Sequence, residues 1–320
     1  MEFPTTPMTT RSRVVLEIAS ELVADRGQPY NQAKVLLRTQ GNTDWPLALF
    51  GSSTREGIDA VVKGESALAI INPASILALA LNGTSVFKSP QPLRVITVIP
   101  SYDNYVFAVR PEFGLTCLED IAVKRPALRI SLRGHADHSL HLMLDDIAAA
   151  AGFSLADIKA WGGDVQLEDK LPPFPRREKF QALVRGDIDA IFDEAANTWV
   201  QEAGEAGLTI LPLREATVAK LEAMGYRRGL IRKAEYPILP SDILTIDFSG
   251  WPIFVHADTP DDLVTRICAA LEARKHLIPW QGEGPLPLER MCRETEETPQ
   301  LVPLHPAAEA FWRGRGYLES

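Results

Sequence analysis

Cysteine is scarce in this 320-residue chain: Cys117, Cys268 and Cys292 are all there is, odd in number and far apart. They form no CxxC pair and suggest no zinc knuckle, so free thiols in a reducing compartment are the expectation. Positive charge is also short, with 33 Lys and Arg against 42 Asp and Glu and a net charge of −9. That argues against nucleic acid or an anionic membrane as partner, while an acidic small ligand needs only a local patch of donors. No apolar run reaches the length of about 18 residues that a membrane span requires, so no direct membrane insertion is expected. The opening MEFPTTPMTTRSR lacks the apolar core and small-residue cleavage site of a secretory signal. As written the chain reads as cytoplasmic, or as periplasmic if a signal has been removed. P-loop, nucleophile elbow and dinucleotide fingerprint are missing too.

What is present is an ordinary globular composition, 46% hydrophobic and 23% charged, with length enough for two domains. The most informative stretch is Phe180–Asn197, FQALVRGDIDAIFDEAAN. Phe180, Leu183 and Val184 share one helical face, Gly186 stops the helix, and Ile188 to Phe192 form a short apolar run suited to a buried strand. Asp193, Glu194 and Asn197 then follow at the strand's carboxyl end, where open α/β sheets bind ligands. Residues 58–75, IDAVVKGESALAIINPAS, repeat the arrangement: helix, Gly64, strand Ala67–Ile71, then Asn72. Setting Lys63-Gly64-Glu65 on Arg185-Gly186-Asp187 aligns the two, either as a true repeat or as two instances of a common connection.

Along the chain, Val14–Ala24 is amphipathic, and Lys34–Thr39 and Leu47–Phe50 read as strands. A polar turn, Gly51 to Glu56, follows; Ser52 or Ser53 would cap the next helix, with Glu56 completing a capping box, or the turn would serve a ligand. Strands Leu93–Ile99 and Val106–Val109 flank Pro100–Tyr105, a link suited to a hinge, in which Tyr102 and Tyr105 either stack on a ligand or pack the hinge. Leu115–Ala122 reads as a short helix. Residues 161–178, with Gly-Gly and three prolines, read as a long loop or flap, and 225–241 as an extended connection. Strands are also expected at Leu208–Leu213, Ile243–Phe248 and Trp251–Val255, with a helix at Asp258–Glu272.

The richest chemistry follows strand Leu128–Leu132, in RGHADHSLHLMLDDIAAAAG, where a helix is expected from about Ala136 to Ala151. His135, His138 and His141 recur at intervals of three. Three readings stand: a metal site using His135, His138 and His141; capture of an anion by Arg133, the turn amides, His138 and Ser139 at a helix start; or a solvated helix face. No cofactor is required by the pattern.

Several stretches resemble the solute-binding proteins of the TAXI branch of the TRAP transporters. Gly64-Glu65-Ser66-Ala67-Leu68-Ala69-Ile70 stands where that family has a Gly-Glu strand. Gly114-Leu115-Thr116 with Leu118-Glu119-Asp120-Ile121 is similar to its Gly-Ile-x-Thr-x-x-Asp-Leu, and Leu304-His305-Pro306-Ala307-Ala308 to its tail. Gly134-His135-Ala136-Asp137-His138-Ser139 replaces its Gly-Ser-Gly turn, and the opening strand with its Gly-rich loop is missing. The resemblance implies a type II periplasmic-binding-protein-like α/β fold: two lobes, each a mixed, mostly parallel sheet flanked by helices, joined by a two-strand hinge. Lobe one would take residues 1–104 with 242–320, lobe two 105–241, with hinges near 100–106 and 236–243. Function then divides in two. A binding protein would close on a small organic acid using Ser53, Thr54, Asn72, Tyr102, Tyr105, Arg133, His135, His138, Ser139, Asp193 and Glu194, and would work with a membrane transporter subunit. An enzyme of decarboxylase type would instead use His135, His138 and Asp193 for acid–base work on a carboxylic acid.

Overall fold

The computed structural model describes residues 7–24, 30, 32–38, 47–52, 55–168 and 181–318. Two five-stranded mixed sheets with helices packed on them form the body. The first is ordered β1-β2-β3-β12-β4, built from β1 (Gln32–Leu37), β2 (Leu47–Ser52), β3 (Leu68–Ile70), β4 (Leu93–Ile99) and β12 (Trp251–His256). The second is ordered β7-β6-β8-β5-β9, from β5 (Val106–Val109), β6 (Arg129–Arg133), β7 (Asp164–Glu168), β8 (Ala190–Asp193) and β9 (Thr209–Ile210). A separate ribbon pairs β10 (Arg228–Ile231) with β11 (Ile243–Ile246). Parallel pairing holds for β2–β3, β6–β7 and β6–β8. The strands on either side of the crossing between sheets, β5 and β12, run against their neighbours, so antiparallel pairs outnumber parallel ones among the described strands.

Burial follows how each strand is covered rather than its place in the order. β4, LRVITVI, is β-branched and almost wholly buried, as a strand covered on both faces must be. β2 alternates, with Ala48, Phe50 and Ser52 inward. Helix α3 (Ala74–Asn82) is apolar on nearly every face and lies inside, ending at Gly83 with φ of 68°. A Cβ on Gly83 would come within 2.4 Å of Ser89 C and Pro90 N, so only glycine fits this left-handed cap. At the chain's far end α6 (Pro306–Gly314) sends Trp312 into the core, where its Nε1 donates to Ile96 O at 2.8 Å. In contrast, every described side chain of α1 (Pro7–Ala24) is exposed.

The repeat read from the sequence exists in the backbone. Helix α2 (Glu56–Val62) ends with Gly64 N donating to Val61 O and Glu65 N and Ser66 N to Ala60 O. The helical turn at 181–185 ends with Gly186 N on Leu183 O and Asp187 N and Ile188 N on Ala182 O, the same bonds 122 positions on. The strands that follow pair in parallel with β2 and β6 in equivalent register.

Two segments connect the sheets, 100–105 and 247–250, and they lie against each other as an antiparallel pair. Tyr105 N donates to Ile246 O, Phe248 N to Asp103 O and Gly250 N to Ser101 O, all at 2.9 Å, with Asn104 opposite Asp247.

Local boundaries differ from expectation where long-range bonds decide them. The helix expected at Leu115–Ala122 starts only at Asp120, as α4 (Asp120–Lys124), because Thr116 N and Oγ1 both donate to Asp120 Oδ2 at 2.8 Å. Ser52 ends β2 and α2 begins at Glu56 after Arg55, so Ser52 is not its cap; the other expected cap, Ser53, lies outside the described residues. Within the expected loop 161–178, the polar DVQLE pairs as edge strand β7, and within the expected extended connection 225–241 lies β10. Pro212, which has no N–H to donate, cuts the expected strand 208–213 to the two residues of β9.

Candidate functional site

Helices from the two sheets face each other across a cavity of about 370 Å³. One wall is the start of α2, with Arg55, Glu56 and Asp59, and Ile76 of α3; the other is the turn after β6 and the start of α5 (Ser139–Ala151), with Asp137, His138, Ser139 and His141. Strand β6 is buried through its centre, Gly134 turns the chain, and His138, extended at ψ of 139°, caps α5 by accepting Leu140 N–H on Nδ1 at 3.2 Å. The helix therefore starts three residues later than expected. A histidine can replace the usual Ser or Asp cap here only while Nδ1 carries no proton.

That condition is met. Burial foremost, then the neighbouring Arg133 charge, lowers the His138 imidazole to about 3, so the ring is neutral. With Nδ1 accepting, the proton sits on Nε2; Arg133 Nη1, 3.3 Å away, also only donates, so the two groups share no hydrogen bond in this state. The ring lies parallel to Phe248, 6.3 Å between centroids, and His135 meets it edge-on at 5.8 Å. His141 lines the cavity with Nε2 buried and without a hydrogen-bond partner; burial lowers its pKa as well.

Behind this wall lies a compact charge cluster. Arg133 Nη2 donates to Asp193 Oδ1 at 3.1 Å and closely to Glu194 Oε1. Asp193 also accepts Glu194 N–H at 2.9 Å. Asp103, in the crossing segment, accepts N–H groups from Asn104, Ala195 and Ala196 at 2.7, 2.7 and 2.9 Å. It pins the turn in which Ala195 takes a left-handed φ of 62°. Burial, then the charge of Glu194, holds the Asp103 carboxyl well above the ordinary carboxylate range.

The structure thus brings Arg133, His135, His138, Ser139, Asp193 and Glu194 together, with His138 and Ser139 on the cavity and Arg133 committed to two carboxylates behind it. Ser53 and Thr54 fall outside the described residues, immediately before Arg55. Asn72 stands just ahead of α3, its Oδ1 buried without a partner. Tyr105 is fully buried, stacked on Phe107 at 4.8 Å, and does not reach the cavity. Tyr102 points to the ribbon: its hydroxyl donates to Leu230 O at 3.0 Å and accepts from Arg232 at 3.1 Å. Among the described residues no three His, Cys, Asp or Glu side chains are arranged to hold a metal ion, His135, His138 and His141 included. Reading the sequence alone missed Arg55, Glu56, Asp59 and Asp137 as lining and Asp103 as anchor. The first four sit at helix starts, a signal that was available; Asp103 has its role through residues 92 and 93 positions away.

Among solved structures the chain is similar to an ancestral arginine-binding protein bound to arginine (17% identity, 70% of this chain and 73% of that chain, TM-score 0.31). It is also similar to a TctC solute-binding protein from Polaromonas (18%, 64% and 63%, TM-score 0.32) and to the substrate-binding protein of an amino acid ABC transporter (13%, 81% and 81%, TM-score 0.29). No curated protein matches. No described helix is long and apolar enough to cross a membrane. Residues 51–316, which hold the second sheet, β3, β4 and β12 of the first and all the residues lining the cavity, match the model of the NMT1-like family, and the chain belongs to that family.

Proposed function

We propose that this chain is a solute-binding protein that takes a small organic acid into the cavity between α2 and α5, in the manner of the TAXI branch of TRAP transporters. The observation that carries the reading is the cavity itself: one wall comes from each sheet, so an occupant contacts both and favours the closed arrangement. On this reading the two sheets are the cores of two lobes moving about the crossing segments. Arg55 supplies donors, and the start of the 13-residue α5 adds its dipole. Arg133 holds the β8 turn through Asp193 and Glu194 rather than gripping the solute. Glu56, Asp59 and Asp137 at the same cavity would repel a second carboxylate, so monoacids should rank above diacids. A membrane transporter subunit would receive the solute from a periplasmic form; a cytoplasmic form would act as sensor or carrier. Co-purification with a membrane protein separates these.

The test is a thermal-shift screen of mono- and dicarboxylates, with Leu142→Trp as a blocked control. A monoacid at a hundred times its Kd should add about 2.7 kcal/mol, or roughly 2–4 °C for each kcal/mol, and the shift should vanish in Leu142→Trp. Shifts that persist in that variant would place binding elsewhere. An acid consumed during the assay would favour the decarboxylase reading built on His135, His138 and Asp193.

A further inference from the structure

A second cavity, about 460 Å³, lies where the crossing segments meet the β10–β11 ribbon, and it shares no lining residue with the first. Its floor is the cross-strand pair Asn104 and Asp247, whose side chains project on one face of their two-strand ladder. Both are almost completely buried, 1% and 3% exposed. Yet Asn104 Oδ1 and Asp247 Oδ2 have no hydrogen-bond partner. Two acceptors left unmet in a buried position are costly, and natural cores seldom keep them unless something else completes the bonds.

The surrounding cations do not complete them. Arg227 Nη1 stands 3.6 Å from Asp247 Oδ2, too far for a hydrogen bond, and its donors go to Glu296 O at 3.0 Å and Thr295 O at 3.1 Å. Arg228 is paired with Glu222 and Glu215, and Arg232 with Glu296 and Glu235. The uncommitted groups are therefore acceptors, one of them a carboxylate. Burial raises the Asp247 carboxyl to about 6, although hydrogen bonds from Ser249 and the charge of Arg227 pull it the other way. Tyr102, Leu230 and Leu244 supply aromatic and apolar walls. Asn104 Oδ1 packs against the backbone of Gly229, where a Cβ would come within 2.2 Å of it, so only glycine leaves the floor residue its place.

We propose that this cavity binds a small organic cation carrying N–H donors, an alkylammonium group, between Asn104 Oδ1 and Asp247 Oδ2. The two acceptors belong to the two segments that join the sheets, and Asp103, next in chain to Asn104, pins the 195–196 turn beside Glu194. An occupant therefore fastens the crossing segments to each other and acts on the first cavity from its hinge side.

Isothermal titration of the full chain with methylammonium and n-butylammonium tests this, against tetramethylammonium, which has the charge but no N–H. Binding of the first two and not the third is expected, weakened about tenfold or more by Asp247→Asn, the size of a lost charge-assisted bond. Should Asp247→Asn fail to fold, Leu230→Trp, which narrows the cavity while leaving both acceptors, should abolish binding. No heat with either primary amine overturns the proposal. So does equal binding of tetramethylammonium, unchanged binding in a folded Asp247→Asn or in Leu230→Trp, or a crystal grown with n-butylammonium that shows only water at Asn104 and Asp247.

Discussion

Arg133→Met separates a structural arginine from a ligand hook. In the folded chain its guanidinium is 23% exposed, while the Asp193 and Glu194 side chains are 6% and 10% exposed. Removing the cation takes its charge away from two nearly buried carboxylates, a change that costs about 3–5 kcal/mol in buried pairs. Partial exposure of the arginine places the expectation at the lower end, about 3 kcal/mol at pH 7. The loss should depend on pH with a definite sign. Without Arg133 the loss comes from holding negative charge in a buried place, so acid, which removes that charge, should reduce it. The variant should therefore come closest to wild type at low pH. Urea midpoints read by tryptophan fluorescence are suitable, because Trp199 Nε1 donates to Glu194 O at 3.0 Å and reports on the cluster. The triple variant Arg133→Met, Asp193→Asn, Glu194→Gln should recover most of the loss, since the uncompensated charges are gone. A cost below about 1 kcal/mol, a loss independent of pH, or no recovery in the triple variant would refute the reasoning.

Asp247→Asn should flatten the pH profile of stability: a carboxyl raised by burial to about 6 favours the folded state below its unfolded pKa and loses that advantage as pH rises through 6, by about 3 kcal/mol in all. Melting curves between pH 4 and pH 8, with and without the substitution, check this; Arg227 is the charge facing the group and stays in place in both. Gly83→Ala should cost more than about 1 kcal/mol, by steric overlap with Ser89 and Pro90 added to the strain of a left-handed φ, measurable as a lower urea midpoint. Trp312→Phe leaves Ile96 O buried without its donor and should cost about 1–3 kcal/mol in the same assay, with ligand binding unchanged.

Much of the scaffold was legible because it is written locally. The apolar runs at 93–99 and 188–192 and the Gly64 and Gly186 stops need only nearest neighbours to act, and these appear where the periodicity puts them. What escaped was set at a distance. β7 is a polar edge strand whose only reason to be extended is β6 beside it. His138 becomes a helix cap because burial keeps it neutral, which no spacing rule announces. Tyr102 and Tyr105, neighbours in sequence, part company in space, one in the core and the other on the ribbon. Arg133 looked like a free donor for an anion until Asp193 and Glu194, 60 and 61 residues later, were seen to hold it.

The order of strands has a bearing on how the chain is made. β12 lies between β3 and β4 in the middle of the first sheet, yet it is synthesised last among the described strands. All five strands of the second sheet leave the ribosome before it. The first-made half must therefore wait, its β3 and β4 edges unpaired, while the later-made half can already fold. Long-range completion of this kind slows folding and leaves strand edges open to wrong partners. A ribosome stalled before Trp251 should carry a protease-resistant second sheet and a protease-sensitive first one.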